Sequence, residues 1–151
     1  EIATPFVPFR LVLYRDKISR ATHLALTRGD IRADAETLVR VHEPVSLVDV
    51  LDMGGTAHAY SVPSALKILS GSAAGAIVLL HRPESADELA ARALPADAPP
   101  PARKFDLRNY GTGAQILRDL GVGKMKLLAT PRKMPAMDGF GLEVTGYYEG
   151  N

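Results

Sequence analysis

The sequence predicts an α/β fold in which helices cover a mixed β-sheet, with β-hairpin strands at the N-terminus. Two observations lead to this class. Strand-like segments joined by a polar connection fill the first part of the chain, and strand, helix and strand segments alternate in the second half. Hairpins combined with strand–helix–strand units are typical of a mixed sheet packed against helices. We expect a single domain over residues 1–151, because this length supplies one hydrophobic core.

Three strands are predicted in the first part. Phe9–Tyr14 and His23–Thr27 form a hairpin, because the run RDKISRAT between them is polar. Glu36–His42 is the third strand, and it ends before Pro44, which cannot donate to a ladder. Apolar residues of the first strand share one face: Phe9, Leu11 and Leu13.

A helix followed by a buried strand is predicted after the Gly54–Gly55 pair. Ser61–Leu69 has a serine at its N-cap and a proline tolerated in its first turn, and Gly71 ends it. Gly75–His81 is nearly all apolar, as in a strand that is buried on both faces. The apolar face of the helix consists of Val62, Ala65, Leu66 and Leu69.

Glu84–Leu94 favours a helix, whereas the proline-rich segment Pro95–Lys104 predicts a solvated loop within the domain. Asn109–Leu120 is the clearest helix, and Gly121 stands at its C-terminal cap position. The remaining predicted elements are the strand Lys124–Ala129, the turn Asp138–Gly141 and the strand Leu142–Tyr148. The apolar face of the clearest helix consists of Ala114, Ile116, Leu117 and Leu120.

Composition narrows the function classes. The chain has 18 Lys plus Arg and 17 Asp plus Glu, a balance that predicts neither nucleic-acid nor membrane binding. The longest apolar run, Ala73–Leu80, is too short to span a bilayer, and the N-terminus lacks signal-peptide character. We therefore expect a cytoplasmic protein. Because the first residue is Glu1 and not Met, we expect a piece of a longer polypeptide.

The chain contains no cysteine, which excludes disulfides and thiolate metal sites. His23, His42 and His81 lie in or beside predicted strands, and no two of the four histidines have the spacing of a metal site, which favours structural roles. The window Val45–Ser61 offers Asp49, Asp52 and His58 as an alternative donor set; surface and loop roles are the simpler interpretation for all three. We expect no bound metal.

Two stretches resemble a known family. Asp106–Lys133 (DLRNYGTGAQILRDLGVGKMKLLATPRK) is similar to the catalytic and nucleotide-binding end of GTP cyclohydrolase II, the first enzyme of riboflavin biosynthesis. Phe9–Ile31 resembles the cyclohydrolase domain fused behind 3,4-dihydroxy-2-butanone 4-phosphate synthase in bifunctional proteins. The resemblance implies a GTP cyclohydrolase II-like sheet, a fused N-terminal synthase domain and a homodimer.

The resemblance also implies roles for individual residues. Asp106 corresponds to the family's proton acceptor, and Arg108 corresponds to the arginine that attacks at the α-phosphate during pyrophosphate release. The nucleotide contacts implied in the same way are Arg40, Glu84 and Lys133. Read without the resemblance, Asp106 is a helix N-cap followed by an exposed arginine, and Lys133 is a solvated turn residue. On a strand or turn, residues 106 and 108 point to the same side.

This chain departs from the family pattern at two independent places. The family binds zinc through three cysteines that follow the segment matching Arg40–Pro44, and this sequence has none. The segment HRPESADEL keeps His81, Arg82 and Glu84, but Ser85 and Ala86 replace the family's glycine and arginine. Losing that arginine removes a bidentate phosphate contact.

Three functional hypotheses follow. The first is a catalytically inactive cyclohydrolase II-like domain that supports or regulates an attached synthase, by dimerisation or by sensing a metabolite. The second is binding of GTP or another riboflavin-pathway metabolite, with residual phosphate chemistry and no deamination. The third is an active cyclohydrolase that uses a non-cysteine metal site.

Overall fold

A computed structural model describes residues 1–43, 61–81, 85–93, 107–129 and 138–148, and for 107–110 it describes the course of the backbone alone. Its strands are β1 Arg10–Arg15, β2 Thr22–Gly29, β3 Glu36–His42, β4 Ala74–Leu79, β5 Lys124–Leu127 and β6 Glu143–Tyr147. Its helices are α1 Val62–Ser70, α2 Ala86–Ala93 and α3 Leu107–Asp119, with one 3₁₀ turn at Asp138–Phe140.

The described strands form one mixed sheet in the order β1-β2-β4-β3-β5-β6. β1 and β2 make the expected antiparallel hairpin, and β2 pairs antiparallel with β4. β4, β3, β5 and β6 run parallel to their neighbours. The predicted α/β class with an N-terminal hairpin is therefore confirmed, and the parallel half brings the carboxyl ends of its strands to one edge.

Hydrophobic clusters cover both faces of the sheet. Alternate residues of β4 point to opposite sides: Ala76 and Val78 pack with α3, whereas Ile77 packs with α1. β4 is buried along most of its length, as its continuous apolar sequence predicts for a central parallel strand. The two helices thus pack on opposite faces of the sheet.

α1 follows its sequence signals closely. The Ser61 hydroxyl accepts a hydrogen bond from the Ser64 N–H at 3.2 Å, which caps the helix as predicted. Leu69 is fully buried and packs on β4 beside Gly75, where an added Cβ would come within 2.5 Å of the Leu69 Cγ. Gly75 therefore lets α1 approach the sheet.

α3 begins at Leu107, two residues before the predicted start, because Leu and Arg are good helix formers and extend the first turn. Its predicted apolar face is buried at Ala114, Ile116 and Leu117. Gly121 has φ +95°, which fits the predicted C-terminal cap.

β1 carries its predicted apolar face, but burial along that face is uneven. Phe9 is 1% exposed and lies in the α1-side cluster. Leu11 and Leu13 on the same face are 42% and 61% exposed, and Val12 and Tyr14 on the opposite face pack against the α3-side cluster. The alternation of apolar residues predicted the strand correctly. How much of its apolar face is buried depends on the position of α1.

Candidate functional site

Polar side chains lie at or near the carboxyl edge of the parallel strands. β3 ends at His42, whose carbonyl accepts a hydrogen bond from the Leu80 N–H at 2.9 Å just beyond β4. α3 passes close to the same strand ends, since a Cβ at Gly113 would lie 3.7 Å from the Val41 and Leu80 side chains. In open α/β sheets such a carboxyl edge is the usual place for ligands.

Arg40 is the predicted nucleotide contact whose side chain the structure describes. It is 6% exposed, and its Nη1 donates to the Leu128 carbonyl at 3.1 Å, beyond the end of β5. This bond ties the ends of β3 and β5 together. Arg40 Nη1 therefore helps to hold the edge of the sheet together. The nucleotide-binding role of Arg40 stays a prediction.

His42 forms a pair with Arg40 within β3. The two side chains point to the same side of the strand, and Arg40 Nη2 lies 3.1 Å from His42 Nδ1. A guanidinium can only donate, so His42 Nδ1 accepts and the ring is neutral, with its proton on Nε2. The ring is 1% exposed, which makes this pair a fixed part of the edge.

His23 links the hairpin to the same edge. It is 7% exposed, and its Nδ1 accepts the His81 backbone N–H at 3.1 Å. Burial lowers the pKa of His23; nearby Asp16 opposes this shift and His81 adds to it. The Ile18 and Ser19 N–H groups lower the pKa of Asp16, so this carboxylate stays ionised. His23 is therefore a neutral acceptor near neutral pH.

A cavity of about 680 Å³ opens between the hairpin turn and α3. A hydrogen bond of 2.7 Å from the Tyr14 hydroxyl to Asp119 Oδ2 crosses one side of it. Burial, and next the bond to Asp119, raise the pKa of Tyr14, so the phenol stays protonated and donates. Polar residues that line the cavity include Asp16, Lys17, His23, Thr112 and Gln115. Its volume and mixed lining suit a small polar molecule.

The remaining predicted site residues are placed only in part. Arg108 is the second residue of α3, in line with the interpretation that places this arginine at the start of the helix. Asp106, Glu84 and Lys133 lie outside the described residues. The roles of all four stay predictions.

A zinc site of the family's type does not fit the donors present, because the sequence offers no thiolate. Within the described parts of the chain, no three His, Asp or Glu side chains come together as a metal site. His23 and His42 each use Nδ1 in a hydrogen bond. The alternative donors Asp49, Asp52 and His58 lie outside the described residues.

Sequence reasoning missed two of these contacts. The Arg40–His42 pair had a detectable signal, because residues two apart on a strand share a side. The His23–His81 contact joins positions 58 residues apart, and nothing local announces it. Only the pairing of β2 with β4 brings those two residues together.

The comparison with protein families fits this architecture. A sequence model of the family described as GTP cyclohydrolase II matches residues 1–149. The chain belongs to the GTP cyclohydrolase II family. The resemblance carried by Phe9–Ile31 and Asp106–Lys133 is thereby confirmed.

Curated relatives place the family in riboflavin biosynthesis. A Neisseria meningitidis protein named 3,4-dihydroxy-2-butanone 4-phosphate synthase is 44% identical over 148 residues, which cover 98% of this chain and 40% of the relative. A Pseudomonas aeruginosa protein of the same name is 39% identical, over 92% of the chain and 39% of the relative. An Aquifex aeolicus protein named riboflavin biosynthesis protein RibBA is 36% identical, over 95% and 38%.

The chain thus spans about two fifths of the length of these relatives. None of the helices in the described ranges has both the length and the apolar character needed to cross a bilayer.

Proposed function

We propose that this chain is a cyclohydrolase II-like domain that does not open the ring of GTP, and that it supports or regulates an attached 3,4-dihydroxy-2-butanone 4-phosphate synthase. One observation carries the proposal: a family whose reaction depends on a cysteine-bound zinc is represented here by a chain without cysteine. Catalytic zinc needs three protein ligands and an open position for the water that it activates.

The geometry supports the same conclusion. Among the described histidines, His23 and His42 both use Nδ1 in hydrogen bonds within the protein. Arg40 holds the Leu128 carbonyl, so this part of the edge is braced internally. The scaffold is intact: it has both hydrophobic clusters, the Ser61 cap and the Gly121 cap. An intact scaffold fits a supporting role, because catalysis depends on the site and not on the fold alone.

The relatives support the attachment. The Neisseria and Pseudomonas proteins carry the name of the synthase and are about two and a half times as long as the matched region. We infer that this chain contributes to a longer synthase protein in the same way. It would act there as a homodimerising module, as a sensor of a pathway metabolite, or as both.

Ring opening of GTP releases formate, which gives a direct test. The purified chain is incubated with GTP, magnesium and zinc, and formate is measured beside a cysteine-containing member of the family as positive control. We expect turnover below about 0.1 per second, a tenth of the lower end of ordinary turnover numbers. Faster formate release would contradict the proposed lack of GTP ring opening. Near-stoichiometric metal in protein purified without a His-tag would then identify a non-cysteine metal site.

A second candidate function is nucleotide binding without deamination. The cavity beside α3 favours it, as do the retained Asp106, Arg108 and Lys133. Calorimetry with GTP and with pathway intermediates tests it. We expect binding that weakens at least tenfold in Arg108→Ala and Lys133→Ala, while Arg10→Ala, an exposed arginine on β1, binds normally. An absence of heat at millimolar ligand rules this function out.

A further inference from the structure

One buried side chain offers a hydrogen-bond donor to the cavity between the hairpin turn and α3. His23 lines this cavity of about 680 Å³ and is only 7% exposed. Its Nδ1 accepts the His81 N–H, so the neutral ring carries its proton on Nε2. Within the described residues, this Nε2–H has no acceptor. A donor in so deeply buried a ring is normally satisfied by water or by a ligand.

The hairpin turn adds two cations to the same cavity. Arg15 and Lys17 line it, and in the part of the chain that the structure describes neither side chain makes a hydrogen bond or an ion pair. The Asp16 carboxylate on this side already accepts the N–H groups of Ile18 and Ser19, at 2.8 and 3.1 Å. The turn side of the cavity therefore has donors to offer. A guanidinium and an ammonium are the usual partners of a phosphate group.

The α3 side of the cavity carries acceptors. Thr112, Gln115 and Asp119 line it at intervals of three and four residues, so they lie along one stripe of the helix. Asp119 Oδ2 accepts the Tyr14 hydroxyl at 2.7 Å. Amide and carboxylate oxygens accept hydrogen bonds from hydroxyl groups, and a carboxylate disfavours an anion beside it. This side of the cavity therefore suits the hydroxyl groups of a ligand and not its phosphate.

We propose that this cavity binds a small phosphate monoester that carries hydroxyl groups, with its phosphate against Arg15, Lys17 and the His23 Nε2–H. The hydroxyl groups then face α3. This inference rests on the metabolite-sensing branch of the proposed function and names the class of metabolite. The two charges of the phosphate meet two cations, and the volume lies within the range of ligand pockets.

A small ester fits this lining better than a nucleotide does. Arg40, the predicted nucleotide contact whose side chain the structure describes, does not line the cavity. Tyr14 is the one aromatic residue in the described lining, and Asp119 holds its hydroxyl. Nucleotide bases are commonly held by stacking on aromatic side chains. The polar groups of this lining match hydroxyls and a phosphate instead.

His23 also connects the cavity to the carboxyl edge of the sheet. A phosphate oxygen that accepts from Nε2–H favours the tautomer in which Nδ1 accepts the His81 N–H. His81 is the first residue of the segment HRPESADEL, which resembles a nucleotide-binding segment of the family. Occupation of the cavity therefore strengthens a contact at the carboxyl edge, which gives the bound ligand a readable effect.

The first experiment titrates this chain with glycerol 3-phosphate at constant ionic strength and follows ¹H and ¹⁵N chemical shifts. We expect saturable binding with a Kd of about 1 mM, because the Asp16 and Asp119 carboxylates in the lining limit the affinity. The His23 ring nitrogens and the His81 amide should shift, and glycerol should leave them unchanged. Two results overturn the proposal: no saturable shift at about 10 mM glycerol 3-phosphate, tenfold above that Kd, or equal shifts with glycerol.

Lys17→Gln and Arg20→Asn form a matched pair of variants. Both remove one cation from the same turn, but only Lys17 lines the cavity. Arg20 has φ +61°, a backbone conformation that asparagine tolerates. We expect the Kd for glycerol 3-phosphate to rise about threefold or more in Lys17→Gln and to stay unchanged in Arg20→Asn. Equal weakening in both would show a general attraction of anions to the turn and overturn the proposal.

Inorganic phosphate and GTP distinguish the possible sources of the phosphate group. We expect glycerol 3-phosphate to bind more tightly than inorganic phosphate, because its hydroxyl groups reach α3. Gln115→Ala, at an exposed position of that helix, should reduce the difference. Equal affinity for the two ligands in the wild-type chain would contradict the role of the hydroxyls. Binding of GTP without a response to glycerol 3-phosphate would make this a nucleotide site. Either result overturns the proposal.

Formate release from GTP is measured on the same preparations. Formate release at an ordinary enzymatic rate contradicts the proposed inactivity and leaves the phosphate-ester site standing. Failure to bind glycerol 3-phosphate overturns the site and leaves the proposed inactivity standing. The two proposals can therefore fail separately.

Discussion

The hairpin half and the parallel half of the sheet use their side chains in opposite ways. In the parallel half, Arg40 and His42 are buried polar residues held by internal hydrogen bonds. In the hairpin half, Leu11 and Leu13 are apolar residues on the surface. Within the described residues, the polar side chains at the ends of the parallel strands are engaged internally, whereas β1 of the hairpin half exposes apolar side chains.

The largest expected effect tests where the core ends. Leu69→Ala removes a fully buried side chain between α1 and β4, and we expect it to lower the free energy of unfolding by about 2–5 kcal/mol. Leu13→Ala, measured at a concentration where the chain is monomeric, should change it by less than about 0.5 kcal/mol. Urea denaturation of both variants provides the values. Comparable losses of stability in the two variants would mean that Leu13 is as well buried as Leu69.

The next effect tests the hydrogen bonds that Arg40 makes at the carboxyl edge. Arg40→Ala removes the guanidinium that donates to the Leu128 carbonyl and contacts His42 Nδ1, and we expect a loss of about 1–3 kcal/mol of stability. ¹⁵N NMR should also show the proton of His42 redistributed between its two nitrogens. Arg10→Ala, at an exposed position of β1, is the control and should leave both readouts unchanged. An unaltered tautomer of His42 in Arg40→Ala would refute the assignment.

The smallest effect is a pH dependence of stability that arises from His23, which links the hairpin half to the parallel half. The folded-state pKa of His23 lies below its ordinary value of 6.5, so the neutral ring is favoured in the fold. As the pH falls, His23 binds a proton in the unfolded chain before it does so in the folded chain. The stabilisation that comes from neutral His23 is therefore present above about pH 6.5 and is lost below it. We expect the free energy of unfolding to fall between pH 7.5 and 5.5, and to fall less in His23→Gln. The paired carboxylate Asp16 titrates below this window. Parallel curves for the two proteins would contradict this origin.

Much of the fold could be predicted because its signals are local. The Ser61 cap, the Gly121 cap and the continuous apolar run of β4 each depend on a few neighbouring residues. The start of α3 was placed two residues late, since helix ends are set by small differences in propensity and by the packing around them. Local patterns are sufficient for elements and insufficient for their boundaries.

The candidate site was harder to predict, because its contacts are not local. Arg40 was selected as a nucleotide contact from the family pattern, and the structure shows that it also binds the Leu128 carbonyl 88 residues away. His23 meets His81 through the pairing of two strands that no motif links. For Asp106, Arg108, Glu84 and Lys133, the sequence supplies the hypothesis, and the variants named above test two of its members.

The sequence by itself determined the family, the α/β class and the absence of a thiolate zinc site, because these depend on residue identity and order. The tertiary structure alone decided which apolar residues are core and which are surface. Phe9 and Leu13 are indistinguishable by alternation on one strand, yet α1 packs over the first and leaves the second exposed. The physical reason is that the burial of a side chain depends on which element packs against its face of the sheet. The alternation of apolar residues along a strand does not specify that element.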